Sequence, residues 1–315
     1  DLVAVTDVTS YLSSELARLT ASGGSSVSTS ITGEAYPLFT GGTKIYINDS
    51  LNAITSTLTK SELPIVLAKG TFSGNVEATY EQIIDIGSNP KVTFAKQPTT
   101  SDEPQFGLTL STTSGNVIYN ATVTFSKAVN FTLAASKGQS LKMFGQTFTI
   151  GAATDSSNLV LLKSAEKLSL SNTDPSAEVT IAGKTYTVEL TDASTTTATI
   201  KVTDSTGASS TQEISEAQSK KVQGLTIAVD TAGANNFALS ASIIAGAEKV
   251  TLSTTAGSNV KVGEEDKSVE GTSVTMTGGT TATTKIVFGV FAKDSDNIAI
   301  LPKKDYVDPI FGHSN

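Results

Sequence analysis

The side chains that perform most enzymatic chemistry are nearly absent from this sequence. Among 315 residues there is one histidine, His313, and there is no cysteine. Histidine-based zinc sites and Ser-His-Asp triads therefore have almost no material, and disulfides and thiolate metal sites are excluded. The sequence also lacks a GxSxG elbow, a phosphate-binding P-loop and a GxGxxG stretch. We expect no catalytic residue and no enzymatic activity.

Paired carboxylates are the remaining route to catalysis, because a glycosidase needs two carboxyl groups facing each other across a cleft. Asp102 and Glu103 are adjacent, as are the acidic residues at 264–266. Neighbouring acids in a polar loop are usually solvated. A hydrolase with an acidic pair that sequence does not reveal stays open as a hypothesis, and carboxyl groups roughly 5 to 10 Å apart across a cleft would support it.

Calcium binding is a better use for such carboxylates, because the ion takes about six to eight oxygen ligands, some of them loop carbonyls. The sequence offers two candidate sets of ligands: one is Glu264, Glu265 and Asp266, and the other is Asp294 and Asp296 with Asp305 and Asp308. Neither set has EF-hand or nonapeptide spacing, so the alternative is that these acids are solvated surface side chains. Calcium is the only cofactor that the sequence suggests.

Three Asn-X-Ser/Thr sequons, at Asn48, Asn120 and Asn130, are candidates for N-glycosylation. A chain in which roughly 28% of residues are Ser or Thr contains about this number by chance, so their count alone does not indicate an exterior protein. Each sequon becomes a glycan site only if the protein is extracellular.

The charge of the chain argues against a nucleic-acid partner, and its hydropathy argues against a transmembrane segment. The formal net charge is -8 with a pI near 4.8, and Arg18 is the only arginine. Nucleic-acid binding requires clustered Lys and Arg, so we expect no nucleic-acid partner. No apolar run reaches the ~18 to 20 residues that a membrane span needs, so we expect no transmembrane segment in this chain.

The elements around these side chains are predicted to be mainly β. Thr is β-branched and suits a strand with one solvated face, and apolar residues alternate with polar ones beyond residue 64. Residues 144–150 and 182–188 share one pattern, which predicts two similar hairpins. The predicted strands are 91–95, 117–126, 131–135, 147–150, 159–162, 185–190, 198–202, 225–229 and 285–291.

Minor α structure is predicted near the N-terminus. Apolar residues at three- and four-residue intervals indicate an amphipathic helix over residues 7–20, and a shorter candidate covers 48–58. A linker at 172–175 and a change of composition near 255 mark two predicted domain boundaries. We predict an Ig-like β-sandwich module at 175–255, inserted into a mixed α+β domain formed by 1–174 and 256–315.

Five parts of the sequence carry a family resemblance when they are taken together. They are Asp7–Leu19, Lys44–Ile54, Leu67–Gly74, Phe144–Asp155 with Leu159–Lys163, and Tyr306–Gly312. With these stretches the chain resembles the archaeal surface-layer (S-layer) protein family. The resemblance implies secretion, glycosylation, assembly with copies of itself or other surface-layer subunits into a two-dimensional array, and dependence on divalent ions. It transfers no catalytic residue.

The leading hypothesis is therefore an extracellular structural protein of the cell surface that forms a protective, permeable S-layer lattice. The alternative is an extracellular adhesin or glycan-binding β-sandwich protein, which would share the Thr-rich composition. Such a protein would need a concave site with exposed aromatic side chains. Images of ordered assemblies would favour the first hypothesis, and a glycan ligand would favour the second.

Overall fold

The structure is a computed structural model that describes residues 34–163, 165–181, 183–235, 238–246, 248–302, 304 and 306–311. This part of the chain is mainly β, as predicted, and contains no α-helix. The helix predicted over residues 7–20 lies outside the described residues. One short 3-10 helix spans Ser295–Asn297.

The strands, in chain order, are β1 (Thr57–Leu58), β2 (Gly70–Ser73), β3 (Glu77–Ile86), β4 (Lys91–Ala95), β5 (Gln105–Thr109), β6 (Tyr119–Val129), β7 (Ser140–Met143), β8 (Gln146–Ile150), β9 (Asn158–Lys163), β10 (Glu166–Ser171), β11 (Ser176–Ile181), β12 (Lys184–Ala193), β13 (Thr197–Asp204), β14 (Ser209–Ser215), β15 (Ser219–Val222), β16 (Leu225–Asn235), β17 (Ala238–Gly246), β18 (Glu248–Ser253), β19 (Lys261–Val262), β20 (Lys267–Ser268), β21 (Thr272–Thr277), β22 (Thr283–Val290) and β23 (Ala299–Ile300).

These strands form five antiparallel sheets. Sheet I has the order β1-β3-β6-β22-β21, with β2 also paired to β3, and sheet II has the order β20-β19-β18-β9-β8-β7. Sheet III is β10-β17-β16-β15, sheet IV is β11-β12-β13-β14, and the small sheet V is β23-β5-β4. Sheets I and II share one apolar core, which makes them the first sandwich, and sheets III and IV share another, which makes them the second sandwich.

Aromatic side chains fill the core of the first sandwich. Phe72, Phe131, Phe148 and Phe288 are fully buried, and the Phe72 and Phe131 rings meet edge to face with centroids 5.3 Å apart. Fully burying such a side chain contributes about 1.5–3 kcal/mol. This core closes the first sandwich without a disulfide.

The period-two pattern of the second sandwich is clearest in β13. Its Ala198, Ile200 and Val202 side chains are fully buried, and three Thr residues and Lys201 alternate with them on the solvated face. Consecutive strands are neighbours in both sheets, in an up-and-down arrangement that the β10–β17 pairing closes on one side. The predicted Ig-like arrangement is wrong in this respect, because an Ig fold distributes consecutive strands between sheets by Greek-key connections.

The chain enters and leaves the second sandwich at one place. Lys163 at the end of β9 is the antiparallel partner of Glu248 at the start of β18. Next to this point Leu162 of sheet II packs against Ala228 and Ile244 of sheet III, and all three are buried. The strands of the second sandwich run from β10 to β17, that is, over 166–246. They therefore begin and end earlier than the limits of 175 and 255 that we predict for the inserted module.

Two local predictions are wrong for identifiable reasons. Residues 48–58 form turns and the short strand β1 rather than a helix, because the amide of Leu51 donates to the Pro90 carbonyl and fixes this segment beside sheet V. Residues 131–135 form turns rather than a strand. The Asn130 side chain accepts from the amide of Thr132, and the amide of Ser136 donates to the Leu133 carbonyl.

The two similar hairpins predicted at 144–150 and 182–188 are confirmed. Met143 pairs with Gln146 across a two-residue turn in which both Phe144 and Gly145 have positive φ angles, 49° and 79°. Ile181 pairs with Lys184 across the corresponding turn in the second sandwich. Two-residue turns of this handedness match the twist of the strands they join.

Candidate functional site

The acidic set at 264–266 lies in the turn between β19 and β20, at the edge of sheet II. Two of its carboxylates bind different neighbours, and the third, Glu265, is exposed. Glu264 Oε2 accepts from the Ser219 hydroxyl of β15 at 2.7 Å, and Asp266 Oδ1 accepts from the Thr251 hydroxyl at 2.6 Å. Lys249 Nζ lies 3.3 Å from the same Asp266 oxygen. Glu264 thus connects the two sandwiches, and Asp266 fastens the turn to β18.

The second acidic set begins at the 3-10 helix. Asp294 caps it, since its Oδ1 accepts from the amide of Asp296 at 2.9 Å and from the Asn297 side chain at 2.6 Å. The hydrogen bond from Asn297, then that from the Asp296 amide, and Lys293 lower the pKa of the Asp294 carboxyl. Asp296 contributes its backbone amide to this cap, and its own side chain is exposed.

Asp308 is the other described member of that set, and it bonds within its own turn. Asp308 Oδ1 accepts from the amides of Ile310 and Phe311, both at 2.6 Å, and so shapes the C-terminal turn. Asp305 and His313 lie outside the described residues. Among the residues that are described, no three His, Cys, Asp or Glu side chains come together in a way that could hold a metal ion.

The adjacent acids Asp102 and Glu103 lie on the loop that joins β4 to β5. Both side chains are exposed. Within the described part of the chain neither takes part in an ion pair. Both are therefore surface charges at the loop end of the β4–β5 hairpin.

The three sequons occupy different environments. Asn48 is exposed on a turn and has a positive φ of 74°. Asn120 is half-buried within β6, the third strand of sheet I, and its amide oxygen would lie 3.2 Å from a Cβ placed on the neighbouring Gly289. Asn130 is also half-buried, and its Oδ1 accepts from the hydroxyl of Thr132 at 2.7 Å. Of the three, Asn48 is the one that is exposed, and it lies on a turn.

A polar cavity of about 520 Å³ lies at one end of the second sandwich. The hairpin turns before β12 and β16 and the turn after β13 surround it, and Lys184, Tyr186, Asp204 and Gln223 line it. Sequence reasoning missed this cavity. The usable signal was the pair of Gly-containing two-residue turns at 183 and 224, which fall at the same end of the sandwich.

Asp204 contributes the carboxyl group of this cavity, and its surroundings lower the pKa of that group. Hydrogen bonds from the Thr206 hydroxyl and from Gln223, with those from the amides of Thr206 and Ala208, lower its pKa to about 2. The shortest, from the Thr206 hydroxyl, is 2.6 Å, and the Gln223 amide donates to Oδ2 at 2.8 Å. Because Asp204 already accepts four hydrogen bonds from its own turn and from Gln223, it holds the cavity wall rather than offering a free carboxylate.

Comparison of the chain with protein-family models and with curated protein sequences gives no match. In the described residues, no helix has the length and apolar character needed to cross a bilayer.

Proposed function

We propose that this protein is a structural component of the cell surface that assembles with copies of itself into a two-dimensional S-layer lattice, and that it is not an enzyme. The resemblance of the sequence to archaeal S-layer proteins motivates the proposal. Its location is then extracellular, as part of a protective coat with pores for small solutes.

The observation that carries the proposal is the way the two sandwiches are joined. The chain leaves sheet II from β9 and returns to it at the neighbouring strand β18. Leu162 packs against Ala228 and Ile244 directly beside these two connections. An apolar contact therefore lies between the two sandwiches beside the connections, a region where a two-domain enzyme often has its cleft. A protein joined in this way suits a lattice, in which a subunit must transmit its position to its neighbours.

The outer face of the second sandwich supports the same function. On sheet IV the paired residues Thr187, Thr203 and Ser209 form a row across three strands, and the buried residues of these strands point the other way. Small hydroxyl side chains make up most of this face, and the charged residues Glu178, Glu189, Lys201 and Glu213 lie among them. Such a surface remains solvated while allowing neighbouring subunits to approach closely.

Electron microscopy of the purified protein tests the proposal. We expect ordered sheets or rings in the presence of calcium, because the S-layer resemblance implies divalent-ion dependence. The same samples with a chelator reveal whether the ion is required. A protein that stays monomeric at every salt and calcium concentration would contradict the proposed function.

The cavity of the second sandwich favours an alternative function, that of an extracellular adhesin or glycan-binding protein. Tyr186 provides an aromatic surface, and Lys184 and Gln223 provide polar groups around it. Sugars bind proteins through this combination of ring stacking and hydrogen bonds. A glycan array with the wild-type protein and Tyr186→Ala tests it, and binding that is lost in the variant would support the alternative.

A further inference from the structure

Sheet V has an apolar face that is only partly covered. Phe94 of β4 and Phe106 of β5 are direct cross-strand partners, with ring centroids 5.5 Å apart. Even so, Phe94 is 58% exposed and Phe106 is 41% exposed. An aromatic pair of this size on a sheet surface normally faces a core or a partner.

The strand registers extend this face beyond the two rings. Val92 pairs with Leu108, and Leu108 pairs with Ile300 of β23. Residues two apart along a strand share a face, and cross-strand partners do too, so these side chains lie on the same side as the two Phe rings. All three are partly exposed. We call the surface of Val92, Phe94, Phe106, Leu108 and Ile300 the aromatic face.

Opposite charges flank the aromatic face at the loop end of the β4–β5 hairpin. Lys96 follows directly after β4, and Asp102 and Glu103 precede β5. All three side chains are exposed, and within the described residues no ion pair involves any of them. The positive charge is therefore on the β4 side of the hairpin and the negative charges are on the β5 side.

This distribution is self-complementary under a two-fold rotation. An axis parallel to the strands places β4 of one copy over β5 of the other, since such a rotation exchanges the left and right sides of a facing sheet. Phe94 of one copy then meets Phe106 of the other, and Lys96 meets Asp102 and Glu103. An isologous contact requires this property, namely that one patch be complementary to itself.

We propose that the aromatic face is a contact between two copies of this chain, related by a two-fold axis parallel to β4 and β5. The inference rests on the proposed assembly and names one of its interfaces. An apolar center with a polar, solvated rim is the usual anatomy of a protein–protein contact, and here the charged part of the rim lies at the loop end of the hairpin. Three short strands provide less than the ~800 Å² per partner of a standard interface, so the isolated contact is weak and is strengthened by the other contacts of an assembly.

Charge reversal on the full chain tests the symmetry of the contact. Lys96→Glu alone places three acidic groups together, and Asp102→Lys with Glu103→Lys places three cations together, so each variant self-associates less than wild type in sedimentation velocity. Mixing the two variants restores opposite charges on both sides of the two-fold axis. We expect the mixture to form dimers that neither variant forms alone, and failure of the mixture to do so would overturn the proposed two-fold contact.

Removal of the rings tests the aromatic contribution. Phe94→Ser with Phe106→Ser should weaken self-association by about tenfold or more, as expected for aromatic residues at the center of an interface. Leu133→Ser is the matched control, because Leu133 is 47% exposed on a different loop. Equal circular dichroism and melting temperature of the variants establish that each is folded.

The outcomes separate this inference from the proposed function. If wild type forms ordered arrays and the ring and charge variants form them equally well, the interface is wrong while the lattice function stands. If wild type forms only the two-fold dimer, and the variants lose it, the interface is right while the lattice function fails. Wild type that is monomeric at every concentration overturns both.

Discussion

Lys163 and Glu248 are direct antiparallel partners across β9 and β18, although the whole second sandwich lies between them in sequence. A hairpin turn could therefore replace everything from 164 to 247 without moving either strand. The pairing makes the second sandwich separable from the first in covalent terms. Leu162 makes the apolar contact between the two sandwiches, and the Ser219–Glu264 hydrogen bond is a second link.

We predict that the first sandwich folds without the second. Residues 164–247 are replaced by Asn-Gly, which favours a two-residue turn, and Leu162→Thr removes the apolar group that the deletion would expose. The shortened protein should keep a β-type circular dichroism spectrum and unfold cooperatively in urea. The same deletion with Leu162 retained should fold but aggregate more readily. Noncooperative unfolding of both variants would show that the first core depends on the second sandwich.

We predict that Gly87→Ala destabilises the protein strongly. A Cβ at Gly87 would lie 1.9 Å from the Val117 carbonyl oxygen, so the backbone of one of these segments must move. Overpacking of this kind costs about 1–3 kcal/mol, which urea unfolding measures directly. Gly115→Ala is the control, because a Cβ there meets nothing within 4 Å. Equal unfolding free energies of the two variants would mean that the backbone segments at Gly87 and Val117 can separate enough to accept a methyl group at little cost.

We predict that Asn48 carries a glycan and Asn120 does not, if the protein is exported by a host that glycosylates sequons. Asn48 lies exposed on a turn, while Asn120 lies between β3 and β22 in the interior of sheet I. Mass spectrometry of peptides from native material measures the occupancy of each site. Asn48→Gln should remove the attached mass, and Asn120→Gln should leave it unchanged. Occupancy of Asn120 would instead require modification before sheet I forms.

The sequence predicts three of the eight strands of the second sandwich, β12, β13 and β16, and misses β10, β11, β14, β15 and β17. Two of the missed strands, β14 and β15, each have a single buried apolar side chain, Ile214 and Val222, which is too few to show a period. In β13 the buried Ala, Ile and Val side chains alternate with solvated side chains, mostly Thr, so the sequence indicates directly which face of the strand is buried. Alternation predicts a strand wrongly at residues 131–135, which form turns. Phe131 and Leu133 alternate as in a strand, yet Phe131 is a buried anchor and Leu133 is exposed, because the Asn130 side chain turns the backbone.

Sites that depend on distant residues are harder to predict. The sequence groups Glu264 with Asp266, but the fold directs one toward Ser219 and the other toward Thr251 and Lys249. Conversely, Phe94 and Phe106 are separated by a loop and become a pair only through the β4–β5 register. Local spacing says nothing about either arrangement, since both are set by which strands become neighbours.

We predict that Asp204 contributes stability that is lost in acid. Its pKa falls from 3.8 to about 2 on folding, so the folded state binds fewer protons than the unfolded state between these values, and stability rises with pH there. The contribution is complete above the unfolded pKa and disappears as the pH falls through the folded pKa. Asp204→Asn keeps an oxygen for the Thr206 and Ala208 amides but places an NH₂ group opposite the Gln223 amide. Wild type should therefore melt at a higher temperature than the variant at pH 7, and the difference should shrink toward zero near pH 2. A difference that stays constant with pH would show that the carboxylate charge contributes nothing.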